Sequence, residues 1–243
     1  MNLQPDLTGK VAIVTGAGRG IGKATSLAIA SCGAHVVLAA RTESQLDEVA
    51  TEIVNAGGRA SKVITDVADE QSILNLFNHV NDEHGRLDVM INNAGLGIFG
   101  KLAEFETADL NTIMKINVDG TFICCREAMK MMIPNNSGYI INISSVVGIK
   151  GYPNQAAYTA SKHAVVGMTK SLAVEAQENN IRVSVIHPGG VDTDMVAQAR
   201  PDLDRSILMT VDDIAQSVMY LLSLSDSCSV DEIYIRRRTS SPF

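Results

Sequence analysis

No uninterrupted apolar stretch in this sequence approaches the ~20 residues that a membrane-spanning helix requires, although the mean hydropathy is +0.11. The first residues, Met1 to Lys10, are polar and lack the apolar centre of a secretory leader, so the expected location is the cytoplasm. Basic residues are in the minority: 20 Lys and Arg stand against 27 Asp and Glu, a formal net charge of -7. Nucleic-acid binding needs a clustered positive field, and this balance argues against it. The one basic cluster, Arg236 to Arg238, reads as a solvated tail. Cysteine is scarce. Its four copies, Cys32, Cys124, Cys125 and Cys228, follow no metal-ligand spacing and read as reduced, buried thiols of a reducing compartment. The five histidines, His35, His79, His84, His163 and His187, are scattered, and no metal is expected. A Pro/Ser-rich linker, a low-complexity tract and an internal repeat are also missing. One domain over residues 1–243 is the economical reading.

What is present is apolar material, 46% of the residues, arranged as short apolar runs that alternate with helical periods. The runs are Val11–Val14, His35–Ala39, Ala60–Thr65, Leu87–Ile91, Tyr139–Ile143, Arg182–Ile186 and Glu232–Ile235. They are apolar on nearly every residue, as strands buried on both faces of a parallel sheet are. Helical periods fall over Gly20–Cys32, Ser44–Asn55, Asp69–Glu83, Asp109–Met132, Tyr158–Glu178 and Val211–Leu222. The expected fold is α/β: a single-domain, Rossmann-type doubly wound sheet of about seven parallel strands flanked by helices. The least regular stretch, 189–209, contains Pro201 and follows a strand end, where such sheets bind ligands. It is a candidate substrate lid.

The first strand runs into Thr15-Gly16-Ala17-Gly18-Arg19-Gly20-Ile21-Gly22, and a helical period follows. Glycines let the chain turn sharply and bring backbone N–H groups and the positive end of a helix dipole against a pyrophosphate. At this position in a βαβ unit the pattern implies a bound dinucleotide. An acidic residue closing the second strand favours NAD, and a basic one favours the 2′-phosphate of NADP. Here that strand runs into Ala40-Arg41-Thr42, with Arg19 as a second guanidinium, so NADPH is expected. Tyr158 and Lys162, four apart, share a helix face. An ammonium beside a phenol lowers its pKa and makes it a usable general acid or base.

These motifs stand in order with Asp66-Val67, Asn92-Asn93-Ala94-Gly95, Asn117, Ser144-Ser145 and Pro188-Gly189, and together they resemble the short-chain dehydrogenase/reductase family along nearly the whole chain. The resemblance implies Tyr158 as general acid/base, and Lys162 as the group that tunes it and holds the nicotinamide ribose. It implies Ser145 as the donor that polarises the carbonyl and Asn117 as the holder of a relay water. It gives the cofactor Gly16, Gly18, Arg19, Gly20, Ile21, Gly22, Arg41, Thr42, Asp66, Val67, Asn93, Ala94, Gly95, Pro188, Gly189, Val191 and Thr193, besides Tyr158 and Lys162. The implied partner is a small-molecule carbonyl substrate, with no nucleic acid and no membrane. The family further implies a homo-oligomer, tetramer or dimer, built on the helices of 109–132 and 158–178.

Length and layout also resemble 3-oxoacyl-(acyl-carrier-protein) reductases. However, Val174 stands where an arginine is common, and Pro134-Asn135-Asn136-Ser137 is neutral where basic residues are frequent. Arg126 and Lys130 remain as contacts for an acyl carrier protein. The family ending Val-Asp-Gly-Gly is replaced by Val230-Asp231-Glu232-Ile233-Tyr234-Ile235-Arg236-Arg237-Arg238. The expected activity is therefore a general NADPH-dependent carbonyl reductase. The carrier-protein reductase is the alternative. An NAD-dependent alcohol dehydrogenase is disfavoured by Ala40-Arg41, and an inactive NADPH-binding regulator by the intact Asn117, Ser145, Tyr158 and Lys162.

Overall fold

The computed structural model describes residues 5–199 and 204–241. Seven strands, β1 (Val11–Thr15), β2 (His35–Ala40), β3 (Arg59–Ile64), β4 (Val89–Asn92), β5 (Gly138–Ile143), β6 (Ile181–Pro188) and β7 (Glu232–Ile235), form one sheet of order 3-2-1-4-5-6-7. Every pairing is parallel. The helices are α1 (Gly20–Ser31), α2 (Glu43–Asn55), α3 (Glu70–His84), α4 (Thr107–Met114), α5 (Gly120–Met132), α6 (Ala156–Gln177), α7 (Asp194–Ala199) and α8 (Val211–Ser223).

The central strands are apolar on both faces because each face has its own helical layer. Ala12, Val14, Val36, Leu38, Ile91 and Ile141 pack with Ile29 of α1, Leu46 of α2 and Val218 of α8. The alternate residues Val11, Ile13, Val37, Met90 and Ile140 pack with Leu76 of α3, Cys124 and Met132 of α5, and Ala176 of α6. The expectation of double burial fails at β3, where Arg59, Lys62 and Ile64 are exposed. That strand is the sheet edge, so one side of it has no neighbour and polar or charged residues protect it.

Two features depart from the expected helices. The helix expected over 109–132 is divided into α4 and α5 by a π turn at Lys115–Asp119. The irregular stretch after β6 contains the short helix α7, and Pro201 of the expected lid lies outside the described residues. The thiols are all free, but they are not all buried: Cys124 and Cys125 are, Cys32 is half-buried and Cys228 is exposed. Among the described residues no helix is long and apolar enough to cross a membrane.

Strand order reverses between β1 and β4, so the connections leave the sheet in opposite directions and open a crevice at the strands' C-terminal ends.

Candidate active site

At that crevice lies a cleft of 810 Å³, walled by the loops that follow β1 to β6. The loop after β1 is held open by backbone geometry that a side chain would spoil. Gly16 has φ +65°, and a Cβ there would come within 2.9 Å of Asn93 Nδ2. A Cβ on Gly22 would lie 2.2 Å from the Gly16 carbonyl oxygen. Thr15 fixes the two strand ends against each other. Its hydroxyl accepts from the Asn93 and Ala94 amides, at 3.1 Å each, and donates to the Ile91 carbonyl at 3.3 Å. The Asn93 amide group donates back to the carbonyls of Thr15 (2.9 Å) and Gly16 (3.3 Å).

Helix α1 starts at Gly20 with no side-chain cap and no acidic residue in its first turn. Its leading N–H groups therefore face the cleft with the positive end of the dipole behind them. This cradle fits a pyrophosphate. At the cleft's far end Ala40 is half-buried and Arg41 exposed, and Arg41 has no carboxylate partner among the described residues. Thr42, Asp66 and Val67 line the same end, with Asp66 Oδ1 accepting from the Ala68 amide at 3.0 Å. Gly18, Gly20, Ile21, Asn93, Ala94 and Gly95 are on the wall, whereas buried Gly22 stands behind it as packing. Arg19 is differently placed from expectation: its Nη1 pairs across the cleft with Asp194 Oδ2 at 2.7 Å. That pair ties the glycine loop to α7 and leaves Arg41 as the uncommitted guanidinium.

Pro188, Gly189, Val191 and Thr193 form the wall opposite the glycine loop. The Thr193 hydroxyl makes local bonds, donating to the Val191 carbonyl and accepting from the Val196 amide, both at 3.4 Å. Gln45, on the first turn of α2, also lines the cleft and packs on Gly18. Nothing in the sequence marks it, because a lone glutamine in a helical period reads as surface.

Deeper in, β5 and α6 bring Ser145, Tyr158 and Lys162 to one wall. Ser145 is half-buried. Its hydroxyl accepts from the Val147 amide at 3.3 Å and donates to the Pro188 carbonyl at 3.4 Å. Tyr158 is buried, edge-on to Phe99 with ring centres 5.5 Å apart. Lys162 is 5% exposed, donates to the Ile143 carbonyl at 3.0 Å, and lies 5.8 Å from the centre of the Tyr158 ring. The expected lowering of the phenol by this ammonium is not observed. Burial dominates and pushes Tyr158 up to about 12, with a hydrogen bond to Ser145 pulling the other way. Burial likewise pushes Lys162 down to about 8. The reason is geometric: the ammonium's bond goes to a carbonyl and not to the phenol oxygen.

Asn117 sits in the π turn and does not line the cleft. Its side chain clasps Leu96, accepting from the amide at 2.8 Å and donating to the carbonyl at 2.9 Å, and also donates to Ser161 Oγ at 3.0 Å. Ser144 is buried and donates to the Lys162 carbonyl at 3.1 Å, a packing role.

His187 was not singled out by its sequence context. It is fully buried on β6, with Nδ1 3.3 Å from the Ser145 carbonyl and Nε2 3.1 Å from Glu232 Oε2 of β7. Glu232 in turn pairs with Lys170 of α6 at 2.8 Å. This chain of contacts fixes the backbone that presents Ser145. The only sequence signal was its position immediately before Pro188-Gly189. Lys150, Tyr234, Arg236 and Arg237 also line the cleft. The basic cluster is thus only partly a solvated tail: Arg238 is exposed, while Arg236 and Arg237 are half-buried against the loop after β6.

A parallel sheet with an anion cradle at its switch point and a buried Tyr–Lys pair beside it defines a Rossmann-type oxidoreductase. A family model for short chain dehydrogenases matches residues 10–204. A 3-oxoacyl-[acyl-carrier-protein] reductase of Synechocystis sp. is 40% identical over 190 residues, covering 78% of this chain and 77% of its own. A 3beta-hydroxysteroid dehydrogenase of Mediterraneibacter gnavus is 38% identical over 195 residues, covering 80% of this chain and 70% of its own. The crystal structure of a metagenomic short-chain oxidoreductase in complex with NADP is similar at TM-score 0.85 and 35% identity, covering 97% of this chain and 100% of that one. The chain belongs to the short-chain dehydrogenase/reductase family and is an oxidoreductase acting on CH–OH and carbonyl groups.

Proposed function

We propose that this protein is an NADPH-dependent reductase of ketone or aldehyde carbonyls, with reversible alcohol oxidation. The observation that carries the reading is the placement of Ser145, Tyr158 and Lys162 on one wall of the cleft that begins at the glycine loop. Bound at the cradle, the nicotinamide cofactor supplies a hydride, a chemistry that no side chain here offers. The chain's own residues supply binding, orientation and protons. Amides of the loop Gly16, Gly18, Arg19, Gly20 and Ile21 hold the pyrophosphate, and Gly22 lets α1 pack close behind them. Arg41 and Thr42 face a 2′-phosphate, and Ala40 provides no carboxylate to repel it. Asp66 and Val67 receive the adenine. Asn93, Ala94, Gly95, Pro188, Gly189, Val191 and Thr193 frame the nicotinamide end. Lys162 holds the ribose.

Ser145 and Tyr158 donate hydrogen bonds to the substrate oxygen, where negative charge grows in the transition state. With its pKa near 12, Tyr158 is fully protonated at neutral pH, yet it remains a stronger acid than an alcohol. It is therefore set to give its proton to a nascent alkoxide. Asn117 acts by holding Leu96 and the π turn in place and is the holder of a relay water. One domain carries both binding functions, with residues 189–209 as a lid over the substrate. A cytoplasmic homo-oligomer, tetramer or dimer, built on α4–α5 and α6 completes the proposal. Exposed Phe122 and Val174 on those helices support it.

The alternative, 3-oxoacyl-(acyl-carrier-protein) reduction, is favoured by the 40% identity to the Synechocystis reductase. The surface argues against it. Arg126 is paired with Glu70 and Glu127, Lys130 is paired with Glu127, and Val174 offers no charge. The test is NADPH consumption with simple ketones, aldehydes and an acetoacetyl thioester, each repeated with NADH. Turnover of free carbonyls with NADPH, abolished in Tyr158→Phe while NADPH still binds, is the expected result. Strong preference for the thioester moves the assignment to the alternative, and equal use of NADH overturns the role given to Arg41.

A further inference from the structure

Four basic side chains line the cleft beyond Tyr158: Lys150, Arg205, Arg236 and Arg237. Two are committed. Arg205 pairs with Asp192 at 2.6 Å. Arg236 directs its guanidinium to the tail's own carbonyls, those of Arg237 (3.2 Å), Arg238 (3.4 Å) and Ser240 (2.6 Å). Lys150 and Arg237 have no carboxylate partner among the described residues. The Lys150 ammonium lies 5.5 Å from the centre of the Tyr234 ring and 5.7 Å from that of Tyr152. Tyr234 packs into the same apolar cluster as Val146, Val147 and Tyr158, so Lys150 is anchored to the wall that carries the acid. Arg237 lies along the loop after β6: its Nε donates to Ser240 Oγ at 3.2 Å, and a Cβ on Gly190 would meet that Nε at 3.3 Å.

The acidic groups of the cleft do not answer these charges. Asp192 and Asp194 are taken by Arg205 and Arg19, and Asp66 is at the adenine end. A chain of net charge -7 thus keeps two half-buried cations without a carboxylate partner on the wall of the cleft. The Tyr234 and Tyr152 side chains hydrogen-bond the Lys150 ammonium and hold its pKa above the ordinary value, so it stays charged, and a fixed cation that no carboxylate neutralises attracts an incoming anion. We propose that Lys150 and Arg237 form an anion subsite, and that the carbonyl compound reduced at Tyr158 carries a carboxylate or phosphate group. This rests on the reductase reading above and names its substrate class. The segment that supplies Arg237 is the one in which this chain departs from the family's Val-Asp-Gly-Gly ending.

The experiment is steady-state kinetics with NADPH on matched pairs: levulinate against methyl levulinate for the carboxylate, and acetoacetyl-coenzyme A against acetoacetyl-N-acetylcysteamine for the phosphate. The native protein is expected to favour the anionic member of at least one pair by about tenfold or more in kcat/KM, as a charged hydrogen bond at a partly desolvated site gives. The pair that shows it identifies the source of the anion. In Lys150→Gln and in Arg237→Gln that ratio collapses towards unity, while the NADPH dissociation constant read by fluorescence stays the same. Equal turnover of both members of both pairs overturns the subsite and leaves the reductase reading standing. So does a weakened NADPH complex in Arg237→Gln with the ratio retained, since the guanidinium then serves the cofactor. Absence of turnover with all four compounds overturns the reductase reading itself, and the subsite with it.

Discussion

Lys162 is an ammonium with 5% exposure whose bond goes to a backbone carbonyl, and no carboxylate among the described residues pairs with it. Its pKa, lowered by burial from 10.5 to about 8, means that the unfolded chain binds this proton more tightly than the folded one. The penalty is fully present below about pH 8 and is relieved as pH rises towards the unfolded value. Lys162→Met is therefore expected to stabilise the ligand-free protein at neutral pH by about 1–2 kcal/mol, once the unanswered Ile143 carbonyl is offset against the removed charge. The gain shrinks between pH 8 and 10.5, and turnover is lost. Urea midpoints of both proteins across that range decide it, and a destabilised variant at pH 7 contradicts the account. Tyr158 and Lys162 were legible in the sequence because the helix repeat places them on one face, and Ser145 through the resemblance to the family. Lys150, His187 and Arg237 were not: they reach the cleft from separate loops and strands, and only the fold brings them there.

At the scale of elements the π turn matters most. A helix expected to run unbroken over 109–132 carries one turn of wider hydrogen bonding at Lys115–Asp119, and such turns recur at functional sites. Its buried Asn117 makes three side-chain bonds to Leu96 and Ser161, and the Thr121 hydroxyl closes on the Asn117 carbonyl at 2.8 Å. Asn117→Ala removes all three side-chain bonds and leaves a buried backbone pair unanswered. A loss of about 2–3 kcal/mol is expected, with an unchanged denaturant slope and reduced turnover. A variant with native stability and low turnover would instead place the side chain directly in the chemistry. Neither this turn nor α7 could be read in advance. A π turn leaves the apolar period nearly intact, and six residues are too few to show a period. The five inner strands were readable because burial on two faces writes a continuous apolar run. β3 misled for the same reason, since an edge strand follows its neighbour's register without its burial.

For the molecule as a whole, the end of the sheet opposite the cleft is held by one carboxylate. Asp88, just before β4, accepts from the Val11 amide at 3.0 Å, from Lys10 Nζ at 3.1 Å and from Arg86 Nε at 2.8 Å. Its own backbone joins β1 and β5 through the Val11 carbonyl and the Tyr139 amide, each at 2.9 Å. The group therefore couples the three central strands. Burial alone would raise its pKa, but Arg86, the Val11 amide and Lys10 together outweigh burial and hold it below the ordinary value of 3.8. A depressed carboxylate contributes stability that is complete above its unfolded pKa and is lost as pH falls through the folded one. Asp88→Asn is accordingly expected to be less stable than the native protein at pH 7 by about 1–2 kcal/mol, with the gap closing as pH falls below the ordinary value of 3.8 and through the depressed folded one. Because the site lies at the far end of every strand from Tyr158, kcat/KM should be unaffected. Urea unfolding at a series of pH values, with activity measured on the same samples, tests both halves. A constant gap between the proteins down to pH 2 would mean that Asp88 stabilises the sheet by shape and hydrogen bonding alone, with no electrostatic share.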